Sequence, residues 1–276
     1  MTSFIGAGNV GTSLGVFFKE NGIAIRGYFS RTFKSAETAA LLTSSKAYTR
    51  LEEMVNESRF IWITTNDDAI ESVANQVAEL NIHEKKTFIH ASGLKTSDVL
   101  ISLKKQGHET CSAHPLLAFS TVEQAVKMLS KTTFFLEGEQ GDLLGIKQVF
   151  EDKSLTFAEI KKEQKAAYHA GACMISNYLV TLVHASNQLF ELARISSHVL
   201  NPAANTLMAS VLQNLEGKGP KEALTGPIKR GDVQTVRKHL EILAEELPGL
   251  TEVYKVLGKE TMRMIDDFRL KNIFDE

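Results

Sequence analysis

Cysteine and runs of like charge are scarce in this chain, and each scarcity argues against a class of protein. Two cysteines, Cys111 and Cys173, in 276 residues cannot build a disulfide framework, and they lack the grouping of a zinc site. We therefore predict no metal centre and a cytoplasmic location. The net charge is −2 without long basic blocks, so neither nucleic acid nor a membrane surface is an expected partner. No basic and apolar stretch of a secretion signal precedes the first predicted strand.

The longest uncharged stretch, residues 166–190, does not have the composition of a membrane span. It contains His169, Asn177, His184 and Asn187 among other polar residues, which would be costly in hydrocarbon. We predict instead a helix that is buried on most sides in a soluble domain.

A glycine-rich turn near the start is the most informative pattern. Residues 4–11 read Phe-Ile-Gly-Ala-Gly-Asn-Val-Gly, which predicts a buried strand, a tight turn and the start of a helix. Gly6, Gly8 and Gly11 have the spacing of a dinucleotide-binding turn, with Val10 opening the helix, and Asn9 and Val10 are further cofactor-binding candidates. A pyrophosphate would lie on the N–H groups of that helix end. A ligand-free αβ turn would show the same glycines, but the β–α alternation that follows favours the cofactor.

The end of the second predicted strand indicates which dinucleotide is bound. Enzymes that use NAD place an acidic residue here to bind the ribose 2′-hydroxyl. This chain has Ser30, Arg31 and Thr32 instead, which offer two hydroxyls and a planar cation. We therefore predict NADP(H), with a solvated Arg31 as the alternative.

Strand and helix patterns alternate up to about residue 158, and only helical patterns follow. The alternation predicts an α/β fold, a doubly wound, mostly parallel Rossmann sheet, followed by an all-helical C-terminal domain. We expect an NADP-binding domain over residues 1–158 and a substrate and dimerisation domain over residues 159–276. In the second domain, residues 159–193 are predicted as one long helix, and the next begins at Pro202.

Polar residues at three predicted strand ends supply candidates for the site. Thr65 and Asn66 are expected to line the nicotinamide side of the cofactor, because strand carboxyl ends face the ligand crevice in open α/β sheets. Ser92 and His114 end the next two strands, and His114 can exchange protons near neutral pH. A structural His114, capping its strand before Pro115, is the alternative.

The helical part offers rival proton donors. Lys165, His169 and Cys173 recur at helical spacing on one stripe, with Asn177 at its edge. A solvated Lys165 and a core His169 are the alternatives. Arg230 could hold a substrate carboxylate or phosphate, or pair with a neighbouring acid.

The chain resembles the 6-phosphogluconate dehydrogenase-like superfamily, which includes ketopantoate, pyrroline-5-carboxylate, prephenate and 3-hydroxyacid enzymes. Nearly the whole chain is similar to a two-domain bacterial family in which a Rossmann-like domain of NADP oxidoreductase type precedes a helical domain of unknown function. The residues that carry the resemblance are His90-Ala91-Ser92-Gly93, His114-Pro115-Leu116, Tyr168-His169 with Asn177, and Leu224-Thr225-Gly226-Pro227 with Arg230-Gly231-Asp232.

The resemblance also bears on single residues. His114-Pro115 is similar to the His-Pro of prephenate dehydrogenases, whose histidine is catalytic, and Ser92 matches the serine on the preceding strand. The Lys-x-x-x-Asn of hydroxyacid dehydrogenases falls on Lys165 and His169, with histidine in place of asparagine.

Together these features imply an NADP(H)-dependent oxidoreductase that acts on a small oxo, hydroxy or imino acid at an interdomain cleft. The proton donor is left open among His114, Lys165 and His169, with Ser92 as a further catalytic candidate and Asn177 and Arg230 as substrate-binding residues. A homodimer through the helical domain is expected. A non-catalytic NADP-binding sensor and an imine reductase are the competing functions.

Overall fold

A single eight-stranded sheet organises the first part of the chain in the computed structural model, which describes residues 1–275. The strands are β1 Thr2–Ile5, β2 Ile25–Phe29, β3 Lys46–Ala47, β4 Phe60–Ile63, β5 Thr87–His90, β6 Glu109–Pro115, β7 Phe134–Gly138 and β8 Phe157–Glu159. Their spatial order is β3-β2-β1-β4-β5-β6-β7-β8. Strands β1 to β6 are mutually parallel, β7 is antiparallel to β6, and β8 is parallel to β7.

This topology confirms the predicted fold class, a doubly wound and mostly parallel sheet followed by helices. The strand order reverses at β1, which lies between β2 and β4. In open α/β sheets, ligands bind outside the carboxyl ends of the strands at such a point. The ends of β1, β4, β5 and β6 therefore define the edge at which a site is to be sought.

Seven α-helices accompany the sheet. They are α1 Asn9–Glu20, α2 Phe33–Thr43, α3 Leu51–Asn56, α4 Asp67–Ala78, α5 Ile101–Lys104, α6 Val122–Leu129 and α7 Gln140–Asp152. Two short 3₁₀ turns, Ser97–Leu100 and Lys162–Gln164, complete this part.

Apolar residues on both faces of the sheet hold these helices. Phe4 and Trp62 belong to one buried cluster, whereas Ile5, Ile61 and Ile63 belong to a second. Neighbouring residues of one strand fall in different clusters because side chains alternate between the faces. Strand β4 is consequently a continuous apolar run, Phe60–Ile63, as expected of a central strand in a parallel sheet covered on both sides.

The prediction of one helix over residues 159–193 was wrong. Strand β8 extends to Glu159, and the helical segment is divided into α8 Lys165–Ile175 and α9 Asn177–Leu192. Ser176 interrupts the helix: its φ and ψ are −114° and −73°, and its Oγ donates a 2.7 Å hydrogen bond to the Ala172 carbonyl oxygen. Serine side chains compete in this way with the backbone hydrogen bonds of a helix.

Six further helices follow α9. They are α10 Ser197–Lys218, α11 Pro220–Ala223, α12 Pro227–Arg230, α13 Val233–Glu246, α14 Pro248–Ile265 and α15 Lys271–Asp275. The predicted start at Pro202 was wrong, because α10 begins at Ser197 and accommodates the proline inside its second turn. Asp232 is the N-cap residue of α13, and its side chain accepts a 3.2 Å hydrogen bond from Thr235 N.

Contacts divide the chain into two compact units, Met1–Tyr178 and the residues from Leu179 onward. Helix α8 belongs to the unit of the sheet, where Tyr168 packs on Phe135 of β7 with ring centroids 4.6 Å apart. The boundary at residue 158 was inferred from the end of the β–α alternation and stays a prediction. Across residues 1–275, no helix has the combination of length and hydropathy that crossing a bilayer requires.

Candidate active site

The glycine turn between β1 and α1 is tight at two glycines and open at the third. Gly6 has a φ of +107°, and a Cβ there would lie 2.8 Å from the carbonyl oxygen of Thr64. A Cβ on Gly11 would collide with the Gly6 carbonyl oxygen. A Cβ on Gly8 would meet nothing within 4 Å. Only glycine fits the first two positions, whereas Gly8 keeps the space beside the backbone open.

The first turn of α1 is free to bind an anion. Gly8 is its N-cap residue, no side chain caps the helix, and no acidic residue lies in the first turn. The side chain of Asn9 points to the loop after β6, where Nδ2 donates a 2.8 Å hydrogen bond to the Ser120 carbonyl oxygen. The first N–H groups, including that of half-buried Val10, therefore remain available for a negatively charged group.

The predicted 2′-phosphate residues lie together after β2. Arg31 and Thr32 are exposed and Ser30 is half-buried. Thr32 precedes α2 as its N-cap residue, and its Oγ1 lies 2.7 Å from Ser35 Oγ. Arg31 has no ion-pair partner in the described part of the chain, so its guanidinium is available to a ligand.

The end of β4 is tied directly to the glycine turn. Thr64 Oγ1 donates a 2.8 Å hydrogen bond to the Gly6 carbonyl oxygen. The neighbouring Thr65 Oγ1 is buried and has no hydrogen-bond partner, and Asn66 is the exposed N-cap residue of α4. Buried hydroxyls are normally paired, so an unpaired one beside the turn is a place where a bound group can contribute a partner.

The loop after β5 is built by Ser92, whose hydroxyl is fully used. Its Oγ donates a 2.6 Å hydrogen bond to Asp67 Oδ2 and accepts bonds from the N–H groups of Leu94 and Lys95 at 3.2 and 3.0 Å. The Ser92 N–H in turn donates to Nδ1 of buried His90 at 3.2 Å. The loop therefore holds a fixed shape and presents the Ser92 carbonyl oxygen inward.

Lys165, the first residue of α8, is buried against this loop. It is 2% exposed, and its Nζ donates hydrogen bonds to the Ser92 carbonyl oxygen at 3.0 Å and to Ser112 Oγ at 2.6 Å. Burial lowers the pKa of Lys165 to about 8, an effect opposed mainly by Glu137. The structure therefore excludes the alternative of a solvated Lys165. A lysine in such a position is mostly protonated at neutral pH and can still give up its proton.

His114 forms a pair with Tyr168. Its Nδ1 lies 2.6 Å from Tyr168 Oη, and the two rings meet edge to face with centroids 5.6 Å apart. Burial lowers the pKa of His114 to about 4, with Lys165 and His169 adding to the effect, whereas burial raises the pKa of Tyr168 to about 12. Tyrosine therefore donates to a neutral imidazole, and the ring proton of His114 is on Nε2.

His169 lies next to His114, and both rings press on Gly93. The two imidazole centroids are 6.4 Å apart, and a Cβ on Gly93 would come within 2.6 Å of His169 Cδ2 and 3.0 Å of His114 Nε2. His169 Nδ1 also lies 3.8 Å from Cys173 Sγ, one turn further along α8. The absent side chain at position 93 is what lets both imidazoles approach the loop.

The structure therefore brings Ser92, His114, Lys165 and His169 together at the carboxyl edge of β5 and β6. The predicted substrate-binding residues belong to helices that follow α8 in the chain. Asn177 begins α9, where its Oδ1 lies 2.9 Å from Ser176 Oγ. Arg230 ends α12 in the second unit, 4.0 Å from Asp232, which is the pairing considered as its alternative. Their roles stay predictions.

Sequence reasoning missed two members of the cluster, Ser112 and Glu137. Ser112 Oγ donates a 3.2 Å hydrogen bond to Glu137 Oε2, and these two residues are register partners on β6 and β7. Both are buried. A lone acid inside the apolar strand Phe134–Gly138 was the available signal, but its partner follows only from the antiparallel pairing of β6 with β7.

Residues 132–261 match the family described as "Domain of unknown function (DUF2520)". No curated protein sequence matches the chain. Among solved structures, protein TM1727 from Thermotoga maritima is 28% identical with a TM-score of 0.75, over 96% of this chain and 98% of that one. BF3122 from Bacteroides fragilis, named as a candidate NADP oxidoreductase, is 23% identical with a TM-score of 0.75, over 94% and 96%.

The imine reductase of Myxococcus stipitatus, solved in complex with NADP+, is 14% identical with a TM-score of 0.58 over 100% of both chains. The similarity to these structures extends over both parts of the chain and confirms the resemblance at the level of fold. The chain thus shares the fold of these solved structures along nearly its whole length, and residues 132–261 match the DUF2520 family model.

Proposed function

We propose that this chain is an NADP(H)-dependent oxidoreductase acting on a small oxo, hydroxy or imino acid. The observation that carries the proposal is the position of buried Lys165 beside the His114–Tyr168 pair, at the sheet edge that also holds the glycine turn. A cationic proton donor next to a dinucleotide turn is what hydride transfer needs from a protein.

The residues at the turn fit a nicotinamide dinucleotide. The space at Gly8, the uncapped N-terminus of α1 and the unpaired Thr65 Oγ1 would receive it, and Arg31 with Ser30 and Thr32 would hold a 2′-phosphate. When bound, such a cofactor supplies or accepts the hydride. The BF3122 protein carries NADP in its name, and the Myxococcus enzyme was solved with NADP+, which supports the choice of cofactor.

Lys165 is the residue that we assign as proton donor. A reduced oxo or imino group takes up a proton on oxygen or nitrogen, and Lys165 Nζ keeps one proton beyond the two that it donates to Ser92 and Ser112. With a pKa near 8 it is largely charged at neutral pH. In the oxidative direction the neutral amine would accept the same proton.

We assign His114 a different role, because its pKa of about 4 leaves the imidazole uncharged at neutral pH. Its Nε2–H donates a hydrogen bond that orients the substrate's polar atom, and Tyr168 fixes the tautomer through Nδ1. Ser92 acts through its backbone oxygen, which holds Lys165 in place, since its hydroxyl proton is given to Asp67. His169 borders the same space beside Gly93.

The substrate class rests on the chemistry of these groups and on the neighbouring structures. An ammonium and a neutral imidazole donor suit a carbonyl or imine together with a nearby carboxylate. The structural neighbours include imine reductases and a pyrroline-5-carboxylate reductase from Coxiella burnetii, whose names point to C=N reduction.

A homodimer through the second unit is part of the proposal. Apolar side chains on α9 and α10 are exposed, for example Val180 at 70%, Val199 at 64% and Leu207 at 62%. Residues 179–215 contain only Glu191 and Arg194 as charged residues. Exposed apolar surfaces of this extent are usually covered, and we assign a second copy as the cover. The free thiols Cys111 and Cys173 support a reducing, cytoplasmic location.

An NADPH oxidation assay tests the function. The purified chain is mixed with NADPH and a panel of small 2-oxo acids, cyclic imines and imino acids, and absorbance at the nicotinamide band is followed. We expect turnover with at least one class and its loss in Lys165→Met. Tight NADPH binding without turnover on the whole panel would favour the non-catalytic sensor instead.

A further inference from the structure

Within residues 1–275, Glu137 is the one buried acid that is linked to Lys165 by hydrogen bonds through a single hydroxyl group, that of Ser112. Its side chain accepts three hydrogen bonds: from Ser97 N at 2.7 Å, from Ser97 Oγ at 2.8 Å and from Ser112 Oγ at 3.2 Å. Ser112 Oγ in turn accepts the 2.6 Å hydrogen bond from Lys165 Nζ. An ammonium, a hydroxyl and a carboxylate are thus connected in line inside the sheet domain.

The other groups that influence Lys165 do not provide a buried negative charge. Asp67 on α4 is exposed, so its charge is screened by solvent. Burial raises the pKa of the Cys111 thiol on β6, which keeps it neutral. Burial also lowers the pKa values of His90 on β5 and of His114 on β6, so neither carries a charge at neutral pH.

Glu137 is held in place more firmly than a solvated acid would be. It is 3% exposed, its strand β7 pairs with β6 so that it faces Ser112, and Ser97 fixes both carboxylate oxygens from the neighbouring loop. None of these contacts involves the glycine turn or the imidazoles. The carboxylate is therefore linked by hydrogen bonds to Lys165, through Ser112, and not to the glycine turn.

We propose that Glu137 is a positioning residue that, through Ser112, keeps Lys165 charged and aimed in a site where burial alone would neutralise it. The inference rests on the proposed role of Lys165 as the acid of the reaction. Without the carboxylate, the buried amine would lose its proton near neutral pH and could no longer supply one.

The test is a titration of Lys165 in the full chain without substrate or cofactor. Protein labelled with ¹³Cε-lysine is followed by NMR from pH 5 to 11, and the Lys165 signal is assigned by its absence in Lys165→Met. We expect a midpoint near pH 8 in the unaltered chain. In Glu137→Gln the midpoint should fall by at least about one pH unit, a tenfold change in proton affinity. In Ser112→Ala it should fall by a smaller amount.

Glu139→Gln is the matched control, because Glu139 lies two residues away and pairs with Lys104 at 2.7 Å instead. Its Lys165 midpoint should equal that of the unaltered chain. If Glu137→Gln does not fold, Ser112→Ala decides alone. An unchanged midpoint in the folded variants would overturn the inference even if NADPH turnover is found, whereas a lowered midpoint without turnover on any substrate would refute only the proposed function.

Discussion

Lys165 Nζ donates a hydrogen bond to the backbone oxygen of Ser92 at 3.0 Å, which ties the first residue of α8 to the loop after β5. This contact places a buried ammonium at the carboxyl edge of a parallel sheet, where doubly wound folds bind their ligands.

The pH dependence of turnover separates the two candidate acids. If Lys165 donates the proton, kcat/KM for reduction is present below its pKa of about 8 and falls as the pH rises through that value. If His114 were the acid, the rate would be lost above about pH 4. A stopped-flow or steady-state profile from pH 5 to 10, with inert buffers at constant ionic strength, provides the measurement. A flat profile between pH 6 and 10 would remove Lys165 from the role.

The contact of Gly93 with two imidazoles predicts a large effect of one methyl group. In Gly93→Ala the new Cβ would displace His169 and His114, so we expect a loss of at least about tenfold in kcat/KM and about 1–3 kcal/mol of stability. Gly171→Ala, at an exposed position of α8, is the control. Its added Cβ would have no heavy atom within 4 Å, so the substitution should stabilise the helix by about 1 kcal/mol. Thermal melts and NADPH oxidation report both quantities. Equal activity of the two variants would contradict the described packing.

Arg31 should determine the preference for the phosphorylated cofactor. Removal of one charged hydrogen-bond partner costs about 1.5–3 kcal/mol, so Arg31→Ala should weaken NADPH binding about 10- to 150-fold and leave NADH binding nearly unchanged. Arg50→Ala, which removes an exposed arginine paired with Glu52, serves as the control. Fluorescence titration of each variant with both cofactors decides the question, and an equal loss for NADH and NADPH would count against a 2′-phosphate contact.

The exposed apolar face of the second unit predicts a dimer that charge can disrupt. We expect twice the chain mass by light scattering at micromolar concentration. Val180→Glu and Leu207→Glu should shift the species toward the monomer, because burying an unpaired carboxylate is costly. Leu144→Glu, equally exposed on α7, should remain dimeric. A monomeric unaltered chain would refute the assembly.

The sequence predicted the parts of the fold that depend on local pattern. The alternation of strand and helix patterns up to about residue 158 predicted the mostly parallel sheet, and the helical patterns that follow predicted the helices of the C-terminal part. The break at Ser176 was missed because a serine inside an apolar helical run gives no strong stop signal.

The site was predictable where residues stand at strand ends or recur at helical spacing. His114 and Ser92 were found in this way, and Lys165 was found from helical spacing. Ser112 and Glu137 were missed because their importance depends on which strands pair, and the antiparallel addition of β7 to β6 is a long-range feature without a local pattern. The hydrogen bond from Ser92 Oγ to Asp67 was likewise missed, because it joins residues that are 25 positions apart in the sequence.

Calorimetric titration with NADPH tests the central claim most directly, because the proposed reaction requires a dinucleotide bound at the glycine turn. We predict binding heat with a dissociation constant in the micromolar range or below for the unaltered chain and for Gly141→Ala, whose added Cβ is unobstructed in α7. Gly8→Ala should keep the melting temperature, since its Cβ also meets no protein atom, but should lose binding at least tenfold because the methyl group takes the space of the pyrophosphate. Absence of heat from both NADPH and NADH with the unaltered chain would contradict the account.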